Sequence, residues 1–212
     1  MNIVSQPESV KILSSLLGKK APASPVVVVS GLPRSGTSMV MSMLDAGGIP
    51  PLTDNLRIPD SDNPRGYYEF EPVKKLREGD YSWLPLAQGK AVKIISALVT
   101  YLPPTQTYQV LFIQRAVPEI LASQRRMLIN RGEDPDKISD AEMAQYFEKH
   151  LAQVTAWLAE QKHISTLYVD YNQMLKDPAP SVRQINAFLG GGLDVQKMLG
   201  VVDPGLYRQR TT

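Results

Sequence analysis

Cysteine is missing from this chain of 212 residues, which excludes disulfide bonds, thiolate metal sites and a cysteine nucleophile. Charge of either sign is barely in excess, because 23 lysines and arginines face 21 aspartates and glutamates. The net charge of +2 argues against general nucleic-acid binding, which requires a concentrated basic face. No hydrophobic run approaches the length that a membrane-spanning helix needs. We therefore expect no nucleic-acid partner and no membrane span.

The composition predicts an ordinary globular protein that folds as one domain over residues 1–212. Hydrophobic residues make up 43% and charged residues 21% of the chain, which excludes a disordered or fibrous protein. Within residues 1–25, apolar side chains at helical spacing predict an amphipathic helix at 8–18, followed by a short linker. The lysines of this segment follow its apolar part, the reverse of a signal peptide, so we expect a cytoplasmic location.

Residues 26–38, VVVVSGLPRSGTS, combine a strand with a glycine-bearing loop. Four consecutive valines favour a strand buried on both faces, as in a parallel sheet covered by helices. Gly31 and Gly36 allow backbone angles that other residues resist, and the apolar segment 37–46 predicts a buried helix. Loop N–H groups and a helix N-terminus both favour an anion, so this stretch predicts a phosphate-binding loop.

The loop lacks the lysine of an ATP-binding Walker A loop. Gly31 and Gly36 have the Walker separation, but Thr37 occupies the lysine position. The one cation of the loop is Arg34, whose planar guanidinium can donate several hydrogen bonds to a terminal anionic group. The pattern therefore disfavours a kinase or an ATPase.

Further strands and helices alternate along the chain, which is typical of an α/β protein. We expect strands at 91–96, 109–113 and 164–169, and helices at 72–79, 140–161 and, as the last helix, 181–189. Another helix should have Pro118 in its first turn and Gly132 as its stop. Four prolines within residues 47–66 predict an extended loop that crosses the mouth of the site. The order predicts a three-layer α/β/α fold with a central parallel sheet and ligands at the carboxyl ends of the strands.

A second anion-binding pair follows the strand at 109–113. Arg115 leaves the end of this strand and Ser123 lies two turns into the next helix, so both are placed to bind one phosphate. A P-loop NTPase would supply a Walker B aspartate for magnesium at this strand, whereas Gln114 and Arg115 supply none.

These two segments, in this order, resemble the donor-binding motifs of sulfotransferases that use 3′-phosphoadenosine 5′-phosphosulfate (PAPS). Residues 63–69, NPRGYYE, resemble the NPxGYFE segment of bacterial members of the family. The resemblance implies a P-loop NTPase-like fold, PAPS as the donor, 3′-phosphoadenosine 5′-phosphate (PAP) as its product, and no metal. It also implies that Arg115 and Ser123 bind the 3′-phosphate. The loop residues implied to bind the 5′-phosphosulfate are Pro33, Arg34, Ser35, Gly36, Thr37 and Ser38.

Four further residues take roles from the same resemblance. Tyr171 occupies the position of a tyrosine that contacts the adenine, although a half-buried tyrosine at a strand end explains it equally well. Lys93 falls near a lysine that contacts the transferred sulfuryl group, with a solvated or salt-bridged lysine as the alternative. Arg208 and Arg210 belong to a C-terminal segment of the kind that helps to hold the 3′-phosphate.

No family motif marks the general base that would deprotonate the acceptor. Isoleucines stand where many cytosolic members have a histidine after the lysine, and Asn55-Leu56-Arg57 replaces the Glu-x-Arg of tyrosylprotein sulfotransferases. His150, inside a long amphipathic helix, and His163, just before a strand, are interpreted as surface or packing residues.

Carboxylates near the loop are the remaining candidates for the base: Asp54, Glu69 and Glu71. We favour Glu69, because it lies in the NPxGYFE-like segment beside aromatic residues, with a structural salt bridge or a helix cap as the alternative. The aromatic residues either line an acceptor pocket or form an edge of the core: Tyr67, Tyr68, Phe70 and Trp83.

The leading function is thus transfer of a sulfuryl group from PAPS to a hydroxyl or amine of a small-molecule or glycan acceptor. Arg34, Glu69 and Lys93 are its expected catalytic residues. One alternative is a P-loop-type nucleotide kinase or hydrolase, which magnesium dependence would reveal. The other is a non-catalytic module that binds PAPS or PAP.

Overall fold

The computed structural model describes residues 24–54, 56 and 66–203 of the chain. Four parallel strands form one sheet in the order β2-β1-β3-β4. The strands are β1 (Val26–Gly31), β2 (Ala91–Lys93), β3 (Tyr108–Gln114) and β4 (Ile164–Asp170). The expected α/β class with a central parallel sheet is confirmed. Predictions for the N-terminal helix, for Arg208 and Arg210, and for the first three residues of NPRGYYE (63–65) lie outside the described residues.

Helices cover both faces of the sheet. The α-helices are α1 (Thr37–Gly47), α2 (Ser96–Val99), α3 (Val117–Asn130), α4 (Asp140–Glu160), α5 (Tyr171–Lys176), α6 (Pro178–Phe188) and α7 (Val195–Val201). Two 3-10 helices, Glu71–Glu78 and Leu84–Ala87, lie between β1 and β2 in the chain. No helix in the described ranges is both long and apolar enough to cross a membrane.

The valines of β1 supply both cores because successive side chains of a strand point to opposite faces. Val26 and Val28 belong to the core beneath α4, whereas Val27 and Val29 belong to the core beneath α1. All four are buried, and full burial of one such side chain contributes about 1.5–3 kcal/mol. A continuous valine run is therefore the sequence of a central strand with no solvent-facing side.

Most predicted elements are confirmed, and the errors are confined to the ends of strands and to short helices. The strand expected at 91–96 ends at Lys93, because Ser96 already begins α2. The helix expected at 181–189 begins three residues earlier, where Asp177 caps it by accepting a hydrogen bond from the Ala179 N–H at 3.3 Å. It is not the last helix, since α7 follows the three glycines. The six-residue α5 was not predicted.

The carboxyl ends of the four strands meet at one edge of the sheet, since all strands are parallel. Gly31 and Lys93 lie at this edge at the ends of β1 and β2. Arg115 follows β3, and Tyr171 follows β4. The proline-rich stretch is extended in its described part, where Pro51 pairs with Ala91 beside β2. Whether this stretch crosses the mouth of the site stays a prediction, because residues 57–65 lie outside the described residues.

Candidate active site

The loop between β1 and α1 is a tight turn in which two residues adopt left-handed backbone angles. Arg34 has a φ of 70° and Gly36 a φ of 104°. The Ser35 N–H donates to the Leu32 carbonyl at 3.1 Å, which closes the turn. A non-glycine residue in this region is uncommon and stores strain, and such residues cluster at functional sites.

Both glycines of the loop are required by close contacts as well as by backbone angle. A Cβ atom on Gly36 would lie 2.3 and 2.4 Å from two ring carbons of Tyr171. A Cβ atom on Gly31 would lie 2.6 Å from the Ser35 hydroxyl and 2.7 Å from the Ile113 carbonyl oxygen. The loop therefore fits its surroundings only without side chains at these two positions.

Several features of the loop suit an anion. Helix α1 begins at Gly36 without a side-chain cap and without an acidic residue in its first turn, so its dipole favours a bound negative charge. The Ser30 and Ser35 hydroxyls are fully buried and have no hydrogen-bond partner in the described part of the chain. Unsatisfied buried hydroxyls are rare, and a ligand is one of the explanations for them. The residues present thus fit a phosphate or sulfate group.

Side chains from the loop and from α3 are in direct contact. The Arg34 Nε donates to the Ser123 Oγ at 2.9 Å, and the Arg115 Nη1 donates to the Arg34 carbonyl at 3.0 Å. Reading the sequence placed Arg34 at one anion site and the other two residues at a second. The structure brings all three together, so the two predicted sites are neighbours.

A buried carboxylate that the sequence analysis did not select holds Arg115 in place. Glu119 is 2% exposed and pairs with the Arg115 Nε at 3.0 Å. Its other oxygen accepts from the Asn172 Nδ2 at 2.8 Å, and the Asn172 Oδ1 accepts from the Ala116 N–H at 3.4 Å. The Arg-to-Glu spacing of four residues at the start of a helix was the available signal in the sequence.

Tyr171 lies beneath this network at the start of α5. Its side chain is buried, and the Arg115 guanidinium carbon lies 4.7 Å above the centre of the ring, a cation–π contact. Burial raises the pKa of the Tyr171 hydroxyl, and this effect exceeds the opposite effect of the nearby Arg115. The phenol therefore stays neutral. The ring supports Gly36 and Arg115 at once, while its contact with an adenine stays a prediction.

The predicted catalytic residues Lys93 and Glu69 lie on neighbouring parts of the chain, the end of β2 and segment 66–70. The Lys93 Nζ, at the end of β2, donates to the Tyr67 carbonyl. The Glu69 carbonyl accepts from the Asp54 N–H at 3.2 Å and from the Thr53 hydroxyl at 2.9 Å. Segment 66–70 therefore runs beside the end of β2, with the Glu69 side chain half-buried. The catalytic roles of both residues stay predictions.

The four aromatic residues of this region are buried or half-buried. Tyr67 and Trp83 are buried, and Phe70 meets Trp83 edge to face with 6.0 Å between ring centres. Tyr68 is half-buried and has a φ of 52°, in the left-handed region. Trp83 and Phe70 thus pack at an edge of the core, which was one of the two expectations.

The two histidines lie at opposite edges of the sheet. The His163 carbonyl accepts from the Tyr108 N–H at 2.9 Å, at the amino ends of β3 and β4. The His150 Nε2 lies 2.9 Å from the Ser96 Oγ, at the first residue of α2. Across the described residues, no three side chains of the types that ligate metals come together.

Comparisons with known proteins agree on the fold. No protein-family model matches the sequence, and no curated protein is similar to it. The sulfotransferase domain from the Synechococcus PCC 7002 olefin synthase is 14% identical, with a TM-score of 0.53 over 92% of this chain and 91% of that chain. The sulfotransferase domain from the curacin biosynthetic pathway is 14% identical, with a TM-score of 0.52 over 86% and 79%. The chain therefore shares the α/β fold of sulfotransferase domains.

Proposed function

We propose that this protein is a sulfotransferase that moves a sulfuryl group from PAPS to the hydroxyl or amine of a small-molecule or glycan acceptor. One observation carries the proposal: Arg34 of the loop, Ser123 and Arg115 form a continuous hydrogen-bonded chain at the carboxyl edge of the sheet. In an α/β sheet this edge is where ligands bind. The two anion-binding segments that carry the family resemblance meet there, in a fold that sulfotransferase domains share.

The loop is suited to the 5′-phosphosulfate of the donor. Residues 36–38 supply backbone N–H groups at the uncapped start of α1, and the Ser30 and Ser35 hydroxyls lack partners among the described residues. Arg115, just before α3, and Ser123, two turns into it, would hold the 3′-phosphate. The Tyr171 ring contacts both Arg115 and Gly36.

Sulfuryl transfer leaves little covalent work to the protein, so catalysis depends on alignment and on charge stabilisation, as in phosphoryl transfer. The bond from sulfur to the bridging oxygen of PAPS breaks while a bond from the acceptor oxygen to sulfur forms. Negative charge grows on the bridging oxygen, and the Arg34 guanidinium would neutralise it. Lys93, at the neighbouring strand end, would bind the sulfuryl oxygens.

The sequence around β3 argues against nucleotide hydrolysis. A magnesium-dependent enzyme of this fold type needs an acid after the strand, whereas Gln114 and Arg115 follow here and Arg115 is committed to Glu119. Thr37 in place of the Walker lysine removes the second requirement. The kinase or hydrolase alternative therefore lacks both of its charged residues.

Ligand-dependent stability tests the donor. We expect PAP and PAPS to raise the melting temperature without magnesium, because a ligand at a hundred times its dissociation constant stabilises by about 2.7 kcal/mol. ATP and GTP with magnesium serve as comparators, and EDTA should leave the PAP effect unchanged. Stabilisation by ATP with magnesium and none by PAP would contradict the proposal.

Turnover tests the enzyme. Arg34→Ala should lower the rate of transfer to a surrogate phenol by a factor of about a hundred to a thousand, as loss of one transition-state donor commonly does. Arg126→Ala is the matched control, since Arg126 lies exposed on α3. Wild-type protein that binds PAP yet transfers nothing would favour the non-catalytic module instead.

A further inference from the structure

His150 lies at the same edge of the sheet as the donor loop. Ser96, whose hydroxyl is 2.9 Å from the His150 Nε2, is the third residue after Lys93. The Ile94 N–H donates to the Val29 carbonyl at 3.0 Å, so the chain still follows β1 just beyond the end of β2. Ser96 therefore begins α2 beside the end of β1, and it brings His150 of α4 to that position.

His150 and the unpartnered Ser30 lie toward the same face of the sheet. Helix α4 contributes Val154 and Leu158 to the core that also contains Phe112. Ser30 is in register with Phe112, so their side chains share this face, one residue before β1 ends. The loop, the Ser30 hydroxyl and the His150 imidazole thus border one corner of the sheet.

The environment of His150 suits a base. Ser96 is 1% exposed, which fixes the position of the hydroxyl that contacts the imidazole. Burial lowers the pKa of His150, which favours the neutral ring that a general base requires. The side chain is only half-buried, so an acceptor can approach it.

Three of the other described candidates for the base are hydrogen-bonded or ion-paired elsewhere, or lie away from the loop. The Asp54 carboxylate accepts from the Glu71 N–H at 2.6 Å and from the Leu56 N–H at 3.1 Å, a structural role at the start of a 3-10 helix. The Glu71 side chain pairs with Lys74 at the surface. His163 lies at the amino edge of the sheet, away from the loop. Glu69 is the remaining carboxylate of the original three.

We propose that His150 is the general base of the sulfuryl transfer and that Ser96 is its positioning residue; the inference rests on the proposed function. As the acceptor oxygen forms its bond to sulfur, its proton passes to the Nδ1 of His150, because Nε2 is held by the Ser96 hydroxyl. The bond between sulfur and the bridging oxygen breaks, and PAP leaves with that electron pair. The imidazolium then returns the proton to solvent, so no metal or oxidant enters the balance.

Kinetics with a series of phenols of increasing pKa test this assignment. His150→Ala should lower kcat for weakly acidic phenols by a factor of about a hundred to ten thousand, the usual contribution of a general base. The loss should shrink for acidic phenols such as 4-nitrophenol, which need no base, and added imidazole should restore part of the rate. The thermal shift with PAP should stay at the wild-type value, because the donor site is intact.

Ser96→Ala and Glu69→Gln complete the experiment. Ser96→Ala should lower kcat in the same phenol-dependent way but less severely, whereas a phenol-dependent loss in Glu69→Gln and none in His150→Ala would make Glu69 the base and overturn the inference. The inference is overturned if His150→Ala transfers at the wild-type rate, or if its loss is equal for all phenols and imidazole does not restore it. Either result leaves the proposed function standing. No transfer and no PAP binding by the wild-type protein would overturn the proposed function itself.

Discussion

At the scale of single residues, the loop between β1 and α1 needs glycines because neighbouring atoms leave no room for side chains. Gly36 has a left-handed backbone, and the Tyr171 ring occupies the space that a side chain at this position would need. The glycines of the loop could be predicted from the sequence, since a strand that runs into a glycine-bearing turn is a local signal. The contact with the Tyr171 ring, which makes Gly36 necessary, could not be predicted, because Tyr171 is distant in the chain.

Gly36→Ala should abolish PAP binding and destabilise the fold, because the new methyl group displaces the Tyr171 ring that also supports Arg115. Gly48→Ala is the control: its φ of 106° is nearly the same, but no atom lies within 4 Å of a Cβ there. The control should lower the free energy of unfolding only by the left-handed strain of an alanine, about 1–2 kcal/mol. Chemical denaturation and calorimetric titration with PAP measure both effects. Equal losses in the two variants would refute the role of the ring.

Glu119→Gln should reduce the preference of the protein for PAP over adenosine 5′-phosphate, because Arg115 loses the partner that orients it. Breaking a buried ion pair also costs about 3–5 kcal/mol of stability. Asn172→Ala, which removes one hydrogen bond from Glu119 and no charge, should have a smaller effect on both. Asp136→Asn breaks the exposed pair with Arg125 and should have a much smaller effect on stability, because solvent screens that pair. Unchanged discrimination in Glu119→Gln would show that the carboxylate is only structural.

At the scale of elements, long periodic segments were predicted well and short capped ones poorly. Helix α4 was expected at 140–161 from its apolar repeat and runs over Asp140–Glu160. Helix α5 has only six residues, too few for any period, and begins because Asp170 accepts a hydrogen bond from the Gln173 N–H at 2.9 Å. The early start of α6 had a visible signal in Asp177 followed by proline, a common N-terminal pair.

Ser139→Ala should destabilise the protein by about 0.5–2 kcal/mol, because it removes the capping box at the start of α4. The Ser139 Oγ accepts from the Glu142 N–H at 3.3 Å, while the Glu142 carboxylate accepts from the Ser139 N–H at 3.2 Å. Ser139→Asp, which retains a capping acceptor, should recover most of the loss. Urea denaturation with circular dichroism measures the difference, and equal stability of the two variants would contradict it.

At the scale of the whole molecule, one sheet links two cores. Adjacent residues of β3 serve different cores: Leu111 lies beneath α1 and Phe112 beneath α4. Sequence alone predicted this layering, because a continuous apolar strand needs cover on both sides. It could not predict the contact between Arg34 and Ser123, which are 89 residues apart.

Leu111→Ala should cost about 2–5 kcal/mol and Phe112→Ala about 3–5 kcal/mol, since each leaves a cavity in a fully buried site. Both variants should still unfold in one cooperative transition, as expected of a single domain. Calorimetry and near-ultraviolet circular dichroism should give coincident curves. A variant that loses one core while the other keeps its transition would show two independent units.

If the donor binds as proposed, the contact chain from Ser123 through Arg34 to Arg115 should link the binding of its two ends. A ligand that orders Arg34 from the loop side also orders the side chains that meet the other end, and such coupling is reciprocal. Two fragments, one with a 5′-anion and one with a 3′-phosphate, should therefore bind with positive cooperativity. By the same linkage, loss of the sulfuryl group should lower the affinity for the remaining PAP and raise its dissociation rate.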